Sequence, residues 1–187
     1  MAINLELKLS CADADLESYV EDAKLHGMSI ANELQQRDTY FLARNGRLKL
    51  REIGGCPDTA SSFELIAYQR PNTEGTRWSG YERIELDRAQ ASALREALAT
   101  TLGIDVVVSK RRRVAFSNRT RVHFDEVDGL GSFIEFETVT LSDDDPTAGQ
   151  ELDRLVQMLA LGDLVPIPGS YADLLRSVQV IDDVDRG

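Results

Sequence analysis

At 187 residues the chain is sized for one domain with a sizeable core and is too short for two independent ones. Its 32 Asp and Glu against 21 Lys and Arg give a formal net charge of −11 at pH 7, a field that repels nucleic acid and anionic membrane surfaces, so any anionic ligand has to be attracted locally. No apolar run reaches the ~18 residues of a membrane span and the N-terminus lacks a basic-then-apolar leader pattern, which makes a cytoplasmic protein the expectation.

The stretch "NLELK", residues 4–8, alternates Leu5 and Leu7 with Asn4, Glu6 and Lys8, which is a strand with one apolar and one polar face. Cys11 lies far from Cys56 without metal-ligand spacing, so both are expected as free thiols. Residues 13–26 combine early acids with Leu16, Val20 and Ala23 at helical spacing and Gly27 as a stop, predicting a helix. "SIANELQQRDTYFLA" reads as a strand, and "ARNGRLKLRE" carries Asn45-Gly46, the strongest short-range hairpin signal.

"GGCPDTAS" is a loop, and "SFELIAYQR" and "TRWSGYERIEL" form a second hairpin around "PNTEG". "DRAQASALREALATTLG" has an Asp cap, an alanine-rich body and a terminal Gly, the pattern of a helix. Three extended runs follow, "DVVVSKRRRVAF", "RTRVHFDEV" and "SFIEFETVTL", joined by "SN" and "DGLG". A helix begins near Pro146, a short one lies at "SYADLLRSV", and the chain ends in a segment that reads as a frayed acidic tail. The expectation is one domain over residues 1–178, a tail over 179–187, and eight mainly antiparallel strands with helices between hairpins. This α+β pattern allows a sandwich, a long curved sheet or a closed barrel.

The polar faces are informative. Arg47, Lys49 and Arg51 alternate with Leu48 and Leu50; Arg119, Arg121, His123 and Asp125 with Val122 and Phe124; Glu135 and Glu137 with Ile134 and Phe136. Arg77, Ser79, Tyr81, Arg83 and Glu85 oppose Trp78, Ile84 and Leu86, with Glu82 interrupting the apolar side. A single such face is ordinarily solvated. Here, however, the basic residues concentrate at 47–51, 110–112 and 119–123, and the carboxylates at 4–8 and 135–137, whereas surface faces mix their signs. Charged faces turned inward, with apolar faces outward under helices, cost several kcal/mol per buried ion. Only a water-filled, ligand-occupied tunnel tolerates that. Its basic side suits phosphate oxygens, and its acidic side a hard divalent cation.

His123 is compatible with a proton shuttle or with a hydrogen-bonding neighbour, and its residue type assigns it no chemistry. "KRRR" at 110–113 throws Arg111 and Arg113 to the side opposite Lys110 and Arg112, so half of it reads as surface rather than as a nucleic-acid patch. No P-loop, Cys-x-x-Cys pair or Gly-x-Ser-x-Gly elbow is present in the sequence.

In chain order, "NLELK", "QRDTYF", "GRLKLRE", "SKRR", "RVHFDEVDGLGSFIEFE" and "SYADLL" resemble the CYTH group, named for class IV bacterial adenylyl cyclases and thiamine triphosphatases, within the triphosphate tunnel metalloenzymes. The resemblance covers most of the chain. It implies a closed eight-stranded antiparallel β-barrel whose tunnel binds a triphosphate with Mg²⁺ or Mn²⁺. Carried over by position, Glu6, Glu135 and Glu137 are implied metal ligands. Lys8, Lys49, Arg51, Arg77, Lys110, Arg112 and Arg121 are implied phosphate ligands, Asp125 and Lys110 are implied in catalysis, and Tyr40, His123 and Tyr171 are further tunnel residues.

Two departures stand out. Asn4 occupies the place of the first Glu of the family's Glu-x-Glu-x-Lys and offers a neutral amide where a carboxylate would bring charge to the cation. Gln69 falls where a lysine is common, and Arg70 beside it faces the other way on an extended chain. The implied activity is conversion of ATP to cyclic AMP and pyrophosphate, with thiamine triphosphatase or another triphosphate hydrolase as the alternative, and a diverged non-catalytic phosphometabolite binder, or a tunnel repurposed for other phosphate chemistry, as the third. The implied partner is a nucleoside or organic triphosphate, not nucleic acid or membrane, and a homodimer is open because related cyclases include dimers.

Overall fold

In the computed structural model, residues 2–54, 62–69, 77–140, 142 and 145–185 are described, leaving aside the side chains at 2, 3, 77–80 and 179–185. The alternation read from "NLELK" extends over β1 (Ala2–Cys11). A 3₁₀ turn (Asp13–Asp15) and α1 (Leu16–Leu25) follow where one helix over 13–26 is expected. The next predicted strand divides into a two-residue β2 (Ser29–Ile30) and β3 (Leu34–Phe41). Asn45-Gly46 closes the hairpin to β4 (Arg47–Gly54). Gly46 sits at φ +67°, and a Cβ there would lie 2.8 Å from the Tyr68 carbonyl oxygen, so this turn has room only for glycine.

Then come β5 (Ser62–Gln69), β6 (Arg77–Leu86) and α2 (Arg88–Leu102). Helix α2 starts in a reciprocal capping box: the Gln90 N–H donates to the Asp87 carboxylate at 2.8 Å, and the Asp87 N–H donates to the Gln90 side chain at 2.9 Å. Three long strands, β7 (Ile104–Ser117), β8 (Thr120–Val127) and β9 (Gly131–Thr140), form a meander. Helix α3 (Pro146–Met158) is capped by Asp145 with Pro146 in its first turn. A two-residue β10 (Val165–Pro166) pairs with β1, and α4 (Tyr171–Asp185) carries helical backbone into the predicted tail.

The antiparallel sheet thus has ten strands instead of the expected eight. The two extra strands, β2 and β10, are too short to show a period-2 pattern. Pairing runs β1, β6, β5, β4, β3, β7, β8, β9, and β1 also pairs with β9.

The helices cover outward apolar faces. Leu5, Leu7 and Leu9 of β1, Val122 and Phe124 of β8, and Ile134 and Phe136 of β9 pack with Leu16, Val20 and Ala23 of α1 and with Ala148, Leu152 and Leu155 of α3. Phe41, Leu50 and Phe63 pack with Ala91 of α2. Burying one such Leu or Phe stabilises the fold by about 1.5–3 kcal/mol. The cover is incomplete on β6, where Ile84 stays 57% exposed. Among the described residues no helix is long and apolar enough to cross a membrane. Cys11 is a free thiol, which burial and nearby Asp13 and Asp15 push up to about 11, and Cys56 lies outside the described residues.

Candidate functional site: a charged cavity inside the sheet

Because outward residues form the core, the opposite faces converge, and all eight long strands and α4 line one cavity of about 360 Å³, within the range of small-ligand sites. The cross-strand register decides which charges meet. Glu6 stands opposite Glu137, and Lys8 opposite Glu135. Arg121 stands opposite Glu137 and His123 opposite Glu135, while Lys110 and Arg112 lie on β7 beside β3.

Every described residue implied as a phosphate ligand is ion-paired. Lys8 Nζ is 3.4 Å from Glu135 Oε1, and Arg121 is 2.9 Å from Glu137 Oε2. Lys49 Nζ donates to Asp38 at 2.6 Å, and Arg51 Nε to the same carboxylate at 2.9 Å. Lys110 Nζ donates to Asp125 at 3.0 Å; Arg112 donates to Asp125 at 2.6 Å through Nε and to Glu135 at 3.0 Å. Arg77 starts β6 opposite Glu6, and its side chain is outside the described set. These pairings offset the desolvation of the buried charges, while Arg51, Arg121 and Glu137 keep partial contact with solvent.

Burial alone would raise Asp38, yet Arg51 and then Lys49 hold it well below the usual carboxylate range. Asp125 behaves alike under Arg112 and Lys110. Burial and the neighbouring Arg112 bring Lys110 down to about 8, with Asp125 opposing. Burial also lowers His123, helped by Arg112 and opposed by Glu137.

Asp125 lies directly behind the cavity wall. It is fully buried and does not line the cavity, because Lys110, Arg112 and the Tyr171 hydroxyl, which donates at 2.9 Å, surround its carboxylate. Its carboxylate fixes the positions of the Lys110 and Arg112 cations. Tyr171, at the first turn of α4, closes this part of the wall. Its ring lies 3.8 Å from Lys8 Nζ and 4.7 Å from Lys110 Nζ, which are cation–π distances.

Tyr40 and Tyr68 share a hydroxyl contact at 3.3 Å, and both line the cavity together with Tyr81. Gln69 is exposed, next to the cavity-lining Tyr68 on an extended strand, so that position supplies no cavity group; Arg70 lies outside the described residues. Arg119, which sequence alternation grouped with Arg121, instead pairs with Asp145 and Glu151 of α3, since β8 begins only at Thr120. Arg111 and Arg113 point outward to Glu126 and Glu17.

Asp38 and Gln36 are cavity residues to which the sequence reading gave no role. Their even spacing with Tyr40 was the available signal.

The acidic side fits a divalent cation. His123, Glu135 and Glu137 place potential ligand atoms within 4.8 Å of one another. His123 Nδ1 and, on β1, Asn4 Oδ1 are buried without hydrogen-bond partners, as is the Arg121 Nε donor. Glu6 lines the same cavity but is not in that close set.

Comparison with known proteins agrees with this architecture. A protein from Pyrococcus horikoshii OT3 (PH1012) superposes with a TM-score of 0.74 at 18% identity, over 91% of this chain and 98% of that one. A candidate adenylate cyclase from Vibrio parahaemolyticus gives 0.68 at 19%, over 93% and 98%. A candidate adenylyl cyclase from Hippeastrum with a dominant triphosphatase activity gives 0.65 at 15%, over 95% and 96%. At these identities the likeness is one of fold. No curated protein matches the chain. The CYTH domain profile matches residues 2–171, a span that takes in every strand and the tyrosine closing the cavity wall, and the chain belongs to the CYTH domain family.

Proposed function

We propose that this chain holds an organic triphosphate in a tunnel formed by its eight long strands and acts at phosphorus, converting ATP to cyclic AMP and pyrophosphate. The observation that carries this reading is the single cavity in which Lys8, Lys49, Arg51, Lys110, Arg112 and Arg121 face inward beside a His123, Glu135 and Glu137 set. Support for a closed tunnel is that β1 pairs with both β6 and β9. Residues 1–178 would form this one domain.

The Arg forks and Lys ammonium groups bind and align the phosphates. The buried, unpartnered Arg121 Nε is a donor suited to a phosphate oxygen. Tyr40, Tyr68 and Tyr81 offer aromatic faces to the organic part, since stacking on such faces is sequence-tolerant and accepts a nucleobase. In the cyclase reaction the 3′-oxygen bonds to the α-phosphorus, the bond to the β-phosphate oxygen breaks, pyrophosphate leaves, and the hydroxyl proton passes to solvent. Lys110 and Arg112, held by Asp125, offset the charge on the phosphoryl oxygens. Bound Mg²⁺ or Mn²⁺, held by Glu135 and Glu137 with Glu6 nearby, would supply Lewis-acid polarisation of those oxygens.

The same ligands serve hydrolysis of ATP, thiamine triphosphate or tripolyphosphate. Incubation of each with Mg²⁺ or Mn²⁺ separates the readings: cyclic AMP with pyrophosphate selects the cyclase, and free phosphate selects a triphosphatase. Asn4 favours a second reading, a triphosphate binder with weak metal affinity, because its neutral amide brings no charge to the cation. In that case no substrate turns over, triphosphate still raises the melting temperature, and Asn4→Glu raises metal affinity.

A pH dependence follows from Lys110. With its free-protein pKa near 8 and the phosphates favouring its charged form, affinity for tripolyphosphate falls as pH rises through 8 toward 10, by up to tenfold per unit. Lys110→Arg, which stays charged, removes that component. Comparing the two proteins in calorimetric titrations cancels the ligand's own ionisation, and parallel profiles would refute the assignment.

A further inference from the structure

His123 faces the cavity, and the proposed function gives it no contact with phosphate. It is 4% exposed, and its Nδ1 is buried without a hydrogen-bond partner. That nitrogen lies 3.8 Å from Glu135 Oε2 and 3.8 Å from Glu137 Oε1, beyond hydrogen-bond length from either. A histidine serving only the core would satisfy this atom, because a buried polar group left unpaired is destabilising. Instead three potential donors converge within 4.8 Å.

We propose that His123 is a metal ligand: its Nδ1, with oxygens of Glu135 and Glu137, forms a nitrogen-and-oxygen site that selects Mn²⁺ over Mg²⁺. Mg²⁺ is a hard ion bound through oxygen and reluctant to give up water, whereas the first-row divalent ions, of which Mn²⁺ is the hardest and the weakest binder, form a series whose affinity for a nitrogen-and-oxygen site rises from Mn²⁺ upward. The carboxylates are already shared with cations. Glu135 faces Lys8 and Arg112, and Glu137 holds Arg121 through Oε2. On β1, Asn4 contributes a neutral oxygen instead of a charge. Both features weaken the site for an ion that depends on anionic oxygen, and the imidazole nitrogen makes up the loss only for an ion that accepts nitrogen. Glu137 Oε1, directed toward His123, is the oxygen best placed to share the ion. The inference rests on the proposed function only in that the triphosphate would meet the same ion, and the site itself needs no triphosphate.

The test uses the full-length, ligand-free protein and Mn²⁺ alone. Titration followed by electron paramagnetic resonance is expected to show saturable Mn²⁺ binding. Pulsed measurements on the bound ion are expected to show coupling to one imidazole ¹⁴N, replaced by a ¹⁵N signal after labelling with ¹⁵N-histidine. The chain has two histidines, and His26 is exposed at the end of α1, so the coupling persists in His26→Gln and disappears in His123→Gln. The second variant is also expected to lose about tenfold or more in Mn²⁺ affinity, the lower end of what loss of even an outer-shell partner costs, while Mg²⁺ affinity changes less than about threefold. Should His123→Gln fail to fold, labelled His26→Gln still decides, because His123 is then the remaining histidine. Absent Mn²⁺ binding, Mn²⁺ bound without nitrogen coupling, or coupling that survives in His123→Gln would each overturn the proposal. Nitrogen coupling in a protein that binds no tripolyphosphate would uphold this site and remove the triphosphate reading.

Discussion

Asp125→Asn is expected to destabilise the ligand-free protein by about 3–5 kcal/mol, the usual cost of breaking a buried ion pair from one side. The carboxylate is fully buried and receives hydrogen bonds from Lys110, Arg112 and Tyr171. An amide keeps the shape but leaves two adjacent cations short of a negative charge, with Glu135 still near Arg112. For a chain of this size the melting temperature should fall by about 6–20 °C. Tripolyphosphate brings negative charge to the same cations, so it should raise the melting temperature more in the variant than in the wild type. Thermal unfolding with and without ligand checks both statements. An unchanged melting temperature would mean that the pairing contributes nothing, and equal ligand shifts would mean that phosphate does not reach these cations.

The second large effect concerns Glu137. Burial would raise this carboxyl, but His123 and Arg121 hold it low despite Glu135 alongside, so it is ionised at neutral pH. Glu137→Gln preserves volume and removes the charge. Metal-dependent turnover should fall about 100-fold, the upper range for damage to a metal's surroundings. Binding of tripolyphosphate without metal should hold or tighten, because one negative charge leaves the cavity. Turnover measured across a Mn²⁺ titration, paired with calorimetry, separates the two effects. An unaltered metal dependence would exclude Glu137 from the cation site.

Much of this was legible in local sequence. Asn45-Gly46 marked the β3–β4 hairpin because that turn requires glycine's positive φ, and Asp87 with Gln90 marked the start of α2 through its cap. Strict alternation placed Lys49, Lys110, Arg112 and Glu135 inside and Leu50, Ile134 and Phe136 outside, because a period of two leaves each side chain one face. What alternation does not carry is who meets whom across strands. The Asp38 pairing with Lys49 and Arg51 depends on β3–β4 register. The burial of Asp125 depends on Tyr171, 46 residues away, folding back from α4. Two-residue strands have no periodicity to read: β10 forms where β1 offers a free stretch of edge at Leu9 and Ser10, and β2 where β7 extends past β3.

On the proposed function, the inward charges bind a triphosphate within a protein whose overall field repels anions. Calorimetric titration of tripolyphosphate into the wild type, Lys49→Met and Lys110→Met tests it most directly. Each variant leaves the partner carboxylate held by a neighbouring arginine, Arg51 for Asp38 and Arg112 for Asp125, so the fold should survive. One saturable site per chain is expected, weakened about 10–100-fold in each variant, as loss of a charge-assisted contact of about 1.5–3 kcal/mol requires. No saturable binding to the wild type, or binding indifferent to both substitutions, would contradict it.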